Sequence, residues 1–159
     1  MASAYESAEL LLRLYELRRD PEMRAARDWF FTRFHPASAD EAFAMWMGTD
    51  SAPYRMVTTY WEMAASFIRH GAIDEAMFHG ANTEYVAVIA KLGPFLPELR
   101  SRSGVADYLA QLEALVSGMP DAEKRLSSFR KYMRHKASQT AAAAGRDADG
   151  VAPAALTEG

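Results

Sequence analysis

The sequence APYRMVTTYWEMAASFIRH, residues 52–70, decides the fold class. Its polar residues recur every three or four positions, at Arg55, Thr58, Glu62, Ser66 and Arg69. Apolar residues recur at the same spacing on the opposite side, at Val57, Trp61, Ala64 and Ile68. This period predicts a long amphipathic α-helix with one buried side.

The composition extends that prediction to the rest of the chain. Ala and Leu number 30 and 13, against six Val and three Ile. Residues that are unbranched at Cβ lose the least side-chain freedom in a helix, so this ratio favours an all-α protein. A chain of 159 residues is long enough to bury one core without disulfides or a structural metal. We therefore predict a single compact helical domain, over residues 1–136, of about seven or eight helices.

The first helix is expected over residues 3–19, with one polar and one apolar face. Its charged residues fall together at Glu6, Glu9, Arg13 and Glu16. Its apolar residues fall on another face, at Ala8, Leu11, Leu12 and Tyr15. The period predicts that this second face is the buried one.

In the stretch RHGAIDEAMFHG, residues 69–80, two histidines flank an Asp-Glu pair, a combination that suggests a metal or acid/base site. We favour the other interpretation, a turn between two helices. Gly71 fits the left-handed position just after a helix, and Asp74 fits the N-cap of the next helix. The segment TEYVAVIAKL, residues 83–92, then predicts a central buried helix, because the chain offers no second strand with which YVAVIA could pair. A further amphipathic helix is expected over GVADYLAQLEALVSG, residues 104–118.

A metal site in this region would use His70 and His79 with Glu62. The two histidines are separated by a predicted turn, and neither belongs to an HExxH or ExxH pattern. We expect Glu62 to be a solvated carboxylate and His70 to interact with the carbonyl groups at its helix end. Cysteine is absent, as are the Gly-x-Ser-x-Gly and phosphate-loop motifs. We therefore predict no catalytic residue, cofactor or metal, and a function without catalysis.

The net charge of −3 is unevenly distributed. Residues 1–123 carry 11 Lys and Arg against 18 Asp and Glu, whereas residues 124–136 carry six cations and no acid. A basic helix over residues 121–136 is one way to bind a polyanion such as nucleic acid, through Arg130, Lys131 and Arg134. The favoured explanation is a terminal helix that docks through its apolar residues and carries cations near its negative end.

Aromatic residues are more numerous than the predicted inward faces require, which leaves apolar area for a partner. We expect a protein-protein or self-association surface on the long helix, including Tyr60 and Met63. The partner is a second copy of this chain or another protein, and polyanion binding is the alternative. A metal-binding or enzymatic protein that uses the His70 and His79 region is the third hypothesis.

The two ends of the sequence carry separate predictions. Glu6, Glu9 and Arg13 interrupt the apolar residues near the N-terminus, so we expect no signal peptide, no membrane association and a cytoplasmic location. Residues 137–159 contain few large apolar residues and cannot offset the entropy lost on ordering. This segment is predicted to be a disordered tail.

The run YRMVTTYWEMAASFIRHGAIDEAMF, residues 54–78, is followed after a gap by KLGPFLPELRSR, residues 91–102. Together they resemble a family of uncharacterised bacterial helical proteins, known only as a domain of unknown function. In that pattern a helix with an aromatic residue and a glutamate ends in a Gly-x-Ile-Asp-Glu-like turn, and a later segment closes with arginine. The resemblance implies a compact α-helical fold and assigns no functional residue.

Overall fold

The computed structural model describes residues 1–149 and confirms the all-α fold, with no strand in that range. Its helices are α1 (Ala4–Arg18), α2 (Pro21–Thr32), α3 (Ala39–Met47), α4 (Ser51–Arg69), α5 (Glu75–Ala81), α6 (Glu84–Leu92), α7 (Leu96–Ser103), α8 (Ala110–Ser117) and α9 (Ala122–Asp149). A short 3-10 turn, Gly93–Phe95, joins α6 to α7. Eight of the helices within the described range have eight residues or more, and α5 has seven. None of them is long and apolar enough to cross a membrane.

Helix α4 is central to the core, as its period predicts. Trp61 and Ala64 are buried on its inward side, and the helix packs mainly against α2 and α8. Helix α6 is the second central element, because every residue from 85 to 92 is buried. Helix α9 packs against α6 and places Leu126 and Met133 in the core.

Local signals in the sequence set most helix ends. Ser3 and Glu6 form a reciprocal capping box on α1, and Asp20 caps α2 just before Pro21. Gly71 follows α4 with a φ of +73°, a left-handed conformation that glycine adopts without a Cβ clash. The carboxylate of Asp74 accepts a hydrogen bond from the Met77 backbone N–H, 2.7 Å away. The expected order of helix, stop and start through residues 69–80 is confirmed.

Helix α1 turns a different face to the core from the one expected. Leu12 and Tyr15 remain 59% and 58% exposed, whereas Ser7 and Leu14 are buried. Two contacts fix this orientation: Ser7 Oγ accepts from the Asp74 backbone N–H at 3.0 Å, and the Leu14 carbonyl accepts from a tyrosine hydroxyl on α4. The expectation that Leu12 and Tyr15 are buried is wrong, because polar contacts with distant elements rotate the helix.

Helix α8 begins later than its apolar period suggested. Residues 106–109 form turns, Val105 is 44% exposed, and Leu109 takes a left-handed φ of 56° before the helix starts at Ala110. Gly104, with a φ of +73°, ends α7, and five residues separate it from the start of α8. The guanidinium of Arg100 donates to the Tyr108 carbonyl at 3.0 Å and holds that turn.

Helix α9 is longer than predicted and runs to Asp149. Alanine has the highest helix propensity, and the sequence has four consecutive alanines at 141–144. The domain boundary at residue 136 stays a prediction. Residues 150–159 of the expected tail lie outside the described residues.

Candidate functional site

Glu62 caps another helix and is not the solvated carboxylate that the sequence suggested. Its two carboxylate oxygens accept hydrogen bonds from the backbone N–H groups of Gln111 and Leu112, at 3.0 and 2.8 Å. These donors lie in the first turn of α8, where Leu109 at the N-cap provides no side-chain acceptor. The carboxylate therefore satisfies exposed backbone donors and complements the positive end of the helix dipole. The sequence alone could not reveal this contact, because Glu62 and Gln111 are 49 positions apart.

The two histidines considered as metal ligands bind separate partners. His70 Nδ1 lies 2.8 Å from the Ser66 carbonyl at the end of its own helix. His79 contacts Glu75 at 3.2 Å through Nε2 and the Tyr85 hydroxyl at 2.6 Å through Nδ1. Within residues 1–149, no group of three or more His, Asp or Glu side chains has an arrangement that could hold a metal ion.

The α4 residues expected to form an interaction surface differ in exposure. Tyr60 is 8% exposed, and its hydroxyl donates to the Leu14 carbonyl at 2.7 Å, so it joins α4 to α1 within the fold. Met63 is 37% exposed. It borders a groove of about 480 Å³ whose lining is mainly apolar: Leu17, Asp20, Met23, Met56, Thr59, Tyr60 and Met63.

A second apolar surface lies on α1, and it contains Ala8, Leu12 and Tyr15 of the face that the sequence predicted to be buried. Tyr5, Leu12 and Tyr15 are 74%, 59% and 58% exposed. Ala8, of intermediate exposure, falls between them on the same side. We call these four residues the outer face of α1. Their spacings of about three, four and three residues place them in one stripe along the helix.

A cluster of cations surrounds a cavity between α6, α9 and the segment after α2. The cavity has a volume of about 350 Å³. Its charged and titratable lining consists of His35, Lys91, Arg130 and Arg134. Its remaining lining is Pro36, Ala90, Pro94, Phe95 and Met133. We call this cavity the basic pocket. Two of the three cations assigned to polyanion binding line it, whereas Lys131 is exposed outside it.

Lys91 is the residue of this pocket that sequence reasoning missed. It is 8% exposed, and its ammonium donates to the Phe30 and Phe34 carbonyls at 2.5 and 2.7 Å. Burial, and secondarily the charge of Lys136, lowers the pKa of Lys91 to about 7. Burial and the charge of Lys91 also lower the pKa of His35. A lone lysine inside the apolar segment YVAVIAKL was the available signal.

An ionic cluster joins three helices on another side of the molecule. Glu84, at the start of α6, accepts hydrogen bonds from the guanidinium groups of Arg18 on α1 and Arg27 on α2. Arg18 also donates to Asn82 at 3.0 Å. Burial tends to raise the pKa of Glu84, but pairing with Arg27 and Arg18 outweighs it and lowers that pKa. Because both guanidinium groups pair with this carboxylate, we assign the cluster a structural role.

Comparison with known proteins adds a family match. The family model described as "Domain of unknown function (DUF4760)" matches residues 3–119. This span contains the whole run of residues 54–102 on which the sequence resemblance rested, and the resemblance to a domain-of-unknown-function family is confirmed. No curated protein and no solved structure matches the chain.

Proposed function

The chain belongs to the DUF4760 family, a domain of unknown function, and we propose that it acts as a self-association module. In this proposal two copies form a homodimer through the outer face of α1. The exposure of Tyr5, Leu12 and Tyr15 carries the proposal, because three large apolar side chains on one side of one helix are costly to leave in water.

The spacing of the outer face supports a second copy as the occupant. In an antiparallel pair of α1 helices about a two-fold axis, Tyr5 lies opposite Tyr15 of the second copy, and Ala8 lies opposite its Leu12. Each large leucine then meets a small alanine, which is how facing helices interdigitate. A parallel pair would instead place Ala8 opposite Ala8 and leave a gap. The same four residues thus form a self-complementary surface only in the antiparallel arrangement.

Other candidate surfaces have weaker support. On α4, the hydroxyl of Tyr60 is already used within the fold, which leaves Met63 as the exposed residue of the pair. For a polyanion, Arg130 and Arg134 line the basic pocket whereas Lys131 lies outside it, so the three cations are not brought together. A metal site on His70 and His79 lacks a shared set of ligands. The proposal includes no catalytic role, and the cytoplasmic location stays a prediction.

Sedimentation velocity of the full chain tests this function. The protein is measured from about 1 μM to about 1 mM, which spans the affinity expected of a small helix-helix interface. We expect the sedimentation coefficient to rise from that of a 17.7 kDa monomer towards that of a dimer. The association should persist in about 0.5 M NaCl, because apolar contacts are not screened by salt. A monomer over the whole range would refute self-association, and a loss of association in salt would refute its apolar basis.

A further inference from the structure

The basic pocket concentrates positive charge around one cavity. Arg130 and Arg134 lie one helical turn apart on α9, and both line the cavity that reaches Lys91 on α6. His35 lines the cavity from the segment after α2, and its lowered pKa favours the neutral imidazole. The described lining includes no Asp or Glu side chain. Walls of low polarity strengthen the attraction between such charges and an anion.

Lys91 is held in position before any ligand arrives. Its ammonium is fixed by the Phe30 and Phe34 carbonyls and lies 5.0 Å from the centre of the Phe30 ring. An ammonium has three N–H donors, so these two carbonyls leave one donor for a ligand. A buried lysine without a carboxylate partner is unusual, and an anion in the pocket would supply the missing charge.

Arg130 is also held in a defined position. Its Nε donates to the Ala90 carbonyl at 3.1 Å, which ties α9 to the residue before Lys91. The guanidinium of Arg130 also pairs with the carboxylate of Glu123 at 3.2 Å, and the Glu123 side chain is 82% exposed. An exposed ion pair contributes little stability, so an anion in the pocket competes for this guanidinium at small cost.

The volume and the walls define the class of ligand. A cavity of about 350 Å³ is at the small end of the range for ligand pockets, which begins near 300 Å³. Guanidinium groups match the geometry of phosphate oxygens, and several cations favour a dianion over a monoanion. Phe95 and Met133 provide an apolar wall beside the cations. We propose that the basic pocket binds a small phosphate monoester, with its phosphate at Arg130, Arg134 and Lys91 and its organic group against Phe95 and Met133.

Isothermal titration calorimetry of the full chain with phenyl phosphate tests the proposal. Ionic strength is held constant with NaCl, and inorganic phosphate is titrated in parallel. We expect saturable binding of one phenyl phosphate per chain and weaker binding of inorganic phosphate, which lacks the group that packs on Phe95. The absence of saturable binding at up to about 10 mM phenyl phosphate would overturn the proposal. Any affinity too weak to be detected at that concentration is below that of a specific site. Equal affinity for the two probes would overturn the assignment of a monoester.

A matched pair of variants separates the pocket from the general charge of α9. Arg134→Gln and Lys131→Gln remove one charge each from exposed positions of the same helix, but only Arg134 lines the pocket. We expect Arg134→Gln to weaken phenyl phosphate binding by about tenfold or more, as the loss of a charge-assisted hydrogen bond does. Lys131→Gln should change it by less than about twofold, since the charge is screened by salt and solvent. Equal losses in both variants would show diffuse attraction along the helix and overturn the pocket.

Discussion

Replacing Leu12 by serine should weaken the dimer by an amount that follows from its exposure. Complete burial of a leucine side chain contributes about 2 kcal/mol. Leu12 is 59% exposed in the single chain, and burial of this exposed fraction in the interface contributes about 1.2 kcal/mol. A two-fold dimer contains two copies, which gives about 2.4 kcal/mol, or a roughly 50-fold higher Kd.

Sedimentation equilibrium of wild type and variant measures this change, and Met63→Ser is the matched control. Met63 is also an apolar surface residue, 37% exposed, but it lies on α4. We expect Met63→Ser to leave the dissociation constant within about twofold of wild type, since it is outside the proposed interface. An unchanged constant in Leu12→Ser would refute the reasoning. An equal loss in Met63→Ser would return the interface to α4.

Three further predictions concern Glu62, Lys91 and Glu84, whose side chains bind partners on other elements. Glu62→Ala should lower the free energy of unfolding by about 1–3 kcal/mol in urea, because two backbone donors of α8 lose their acceptor; a change below about 0.3 kcal/mol would contradict the cap. The pKa of Lys91 is about 7 in the folded protein, against an ordinary value of 10.5. Between these pH values the unfolded chain binds more protons than the folded chain. The free energy of unfolding of the wild type should therefore rise by up to about 1 kcal/mol per pH unit above pH 7. Lys91→Met should remove this rise in pH-dependent urea unfolding, and parallel curves for the two proteins would contradict it. Glu84→Gln should cost about 2 kcal/mol at neutral pH by leaving Arg18 and Arg27 unpaired. The pKa of Glu84 is lowered in the folded protein, so the stability that its charge contributes is present above the pKa of the unfolded chain and is lost as the pH falls below it. The melting temperatures of wild type and variant should therefore converge in acid. A difference in melting temperature that stays constant with pH would contradict the pairing.

Local chemistry explains why much of the fold could be predicted. The period of α4 identifies its buried side, and Asp20-Pro21 and Asp74 mark helix starts through hydrogen bonds that span two or three residues. Gly71 marks a stop because a left-handed residue is needed there. Each of these signals is contained within a few neighbouring residues, so no tertiary information is required.

The remaining features depend on residues that are distant in sequence. The orientation of α1 is set by hydrogen bonds from Asp74 to Ser7 and from Tyr60 to Leu14, and an apolar period alone favoured another face. The pattern of α4 alone predicts that Glu62 is solvated. Its role as a cap depends on the packing of α8 against α4, which places two backbone N–H groups beside its carboxylate. Nothing in its own segment shows that Lys91 donates to the carbonyls of Phe30 on α2 and of Phe34 just after α2. The candidate sites were therefore less predictable than the helices that carry them.

Disulfide cross-linking tests the antiparallel homodimer most directly, because the chain contains no cysteine and each introduced thiol is unique. Ala8→Cys and Leu12→Cys proteins are mixed in equal amounts, oxidised, and the covalent dimers are weighed by intact mass spectrometry. In the proposed antiparallel pairing residue 8 lies opposite residue 12 of the second copy, and a disulfide forms where the two Cα atoms approach to about 4.4–6.8 Å. We expect the mixed disulfide to exceed the share given by random pairing. An excess of the two self-linked dimers, or no covalent dimer, would contradict the account.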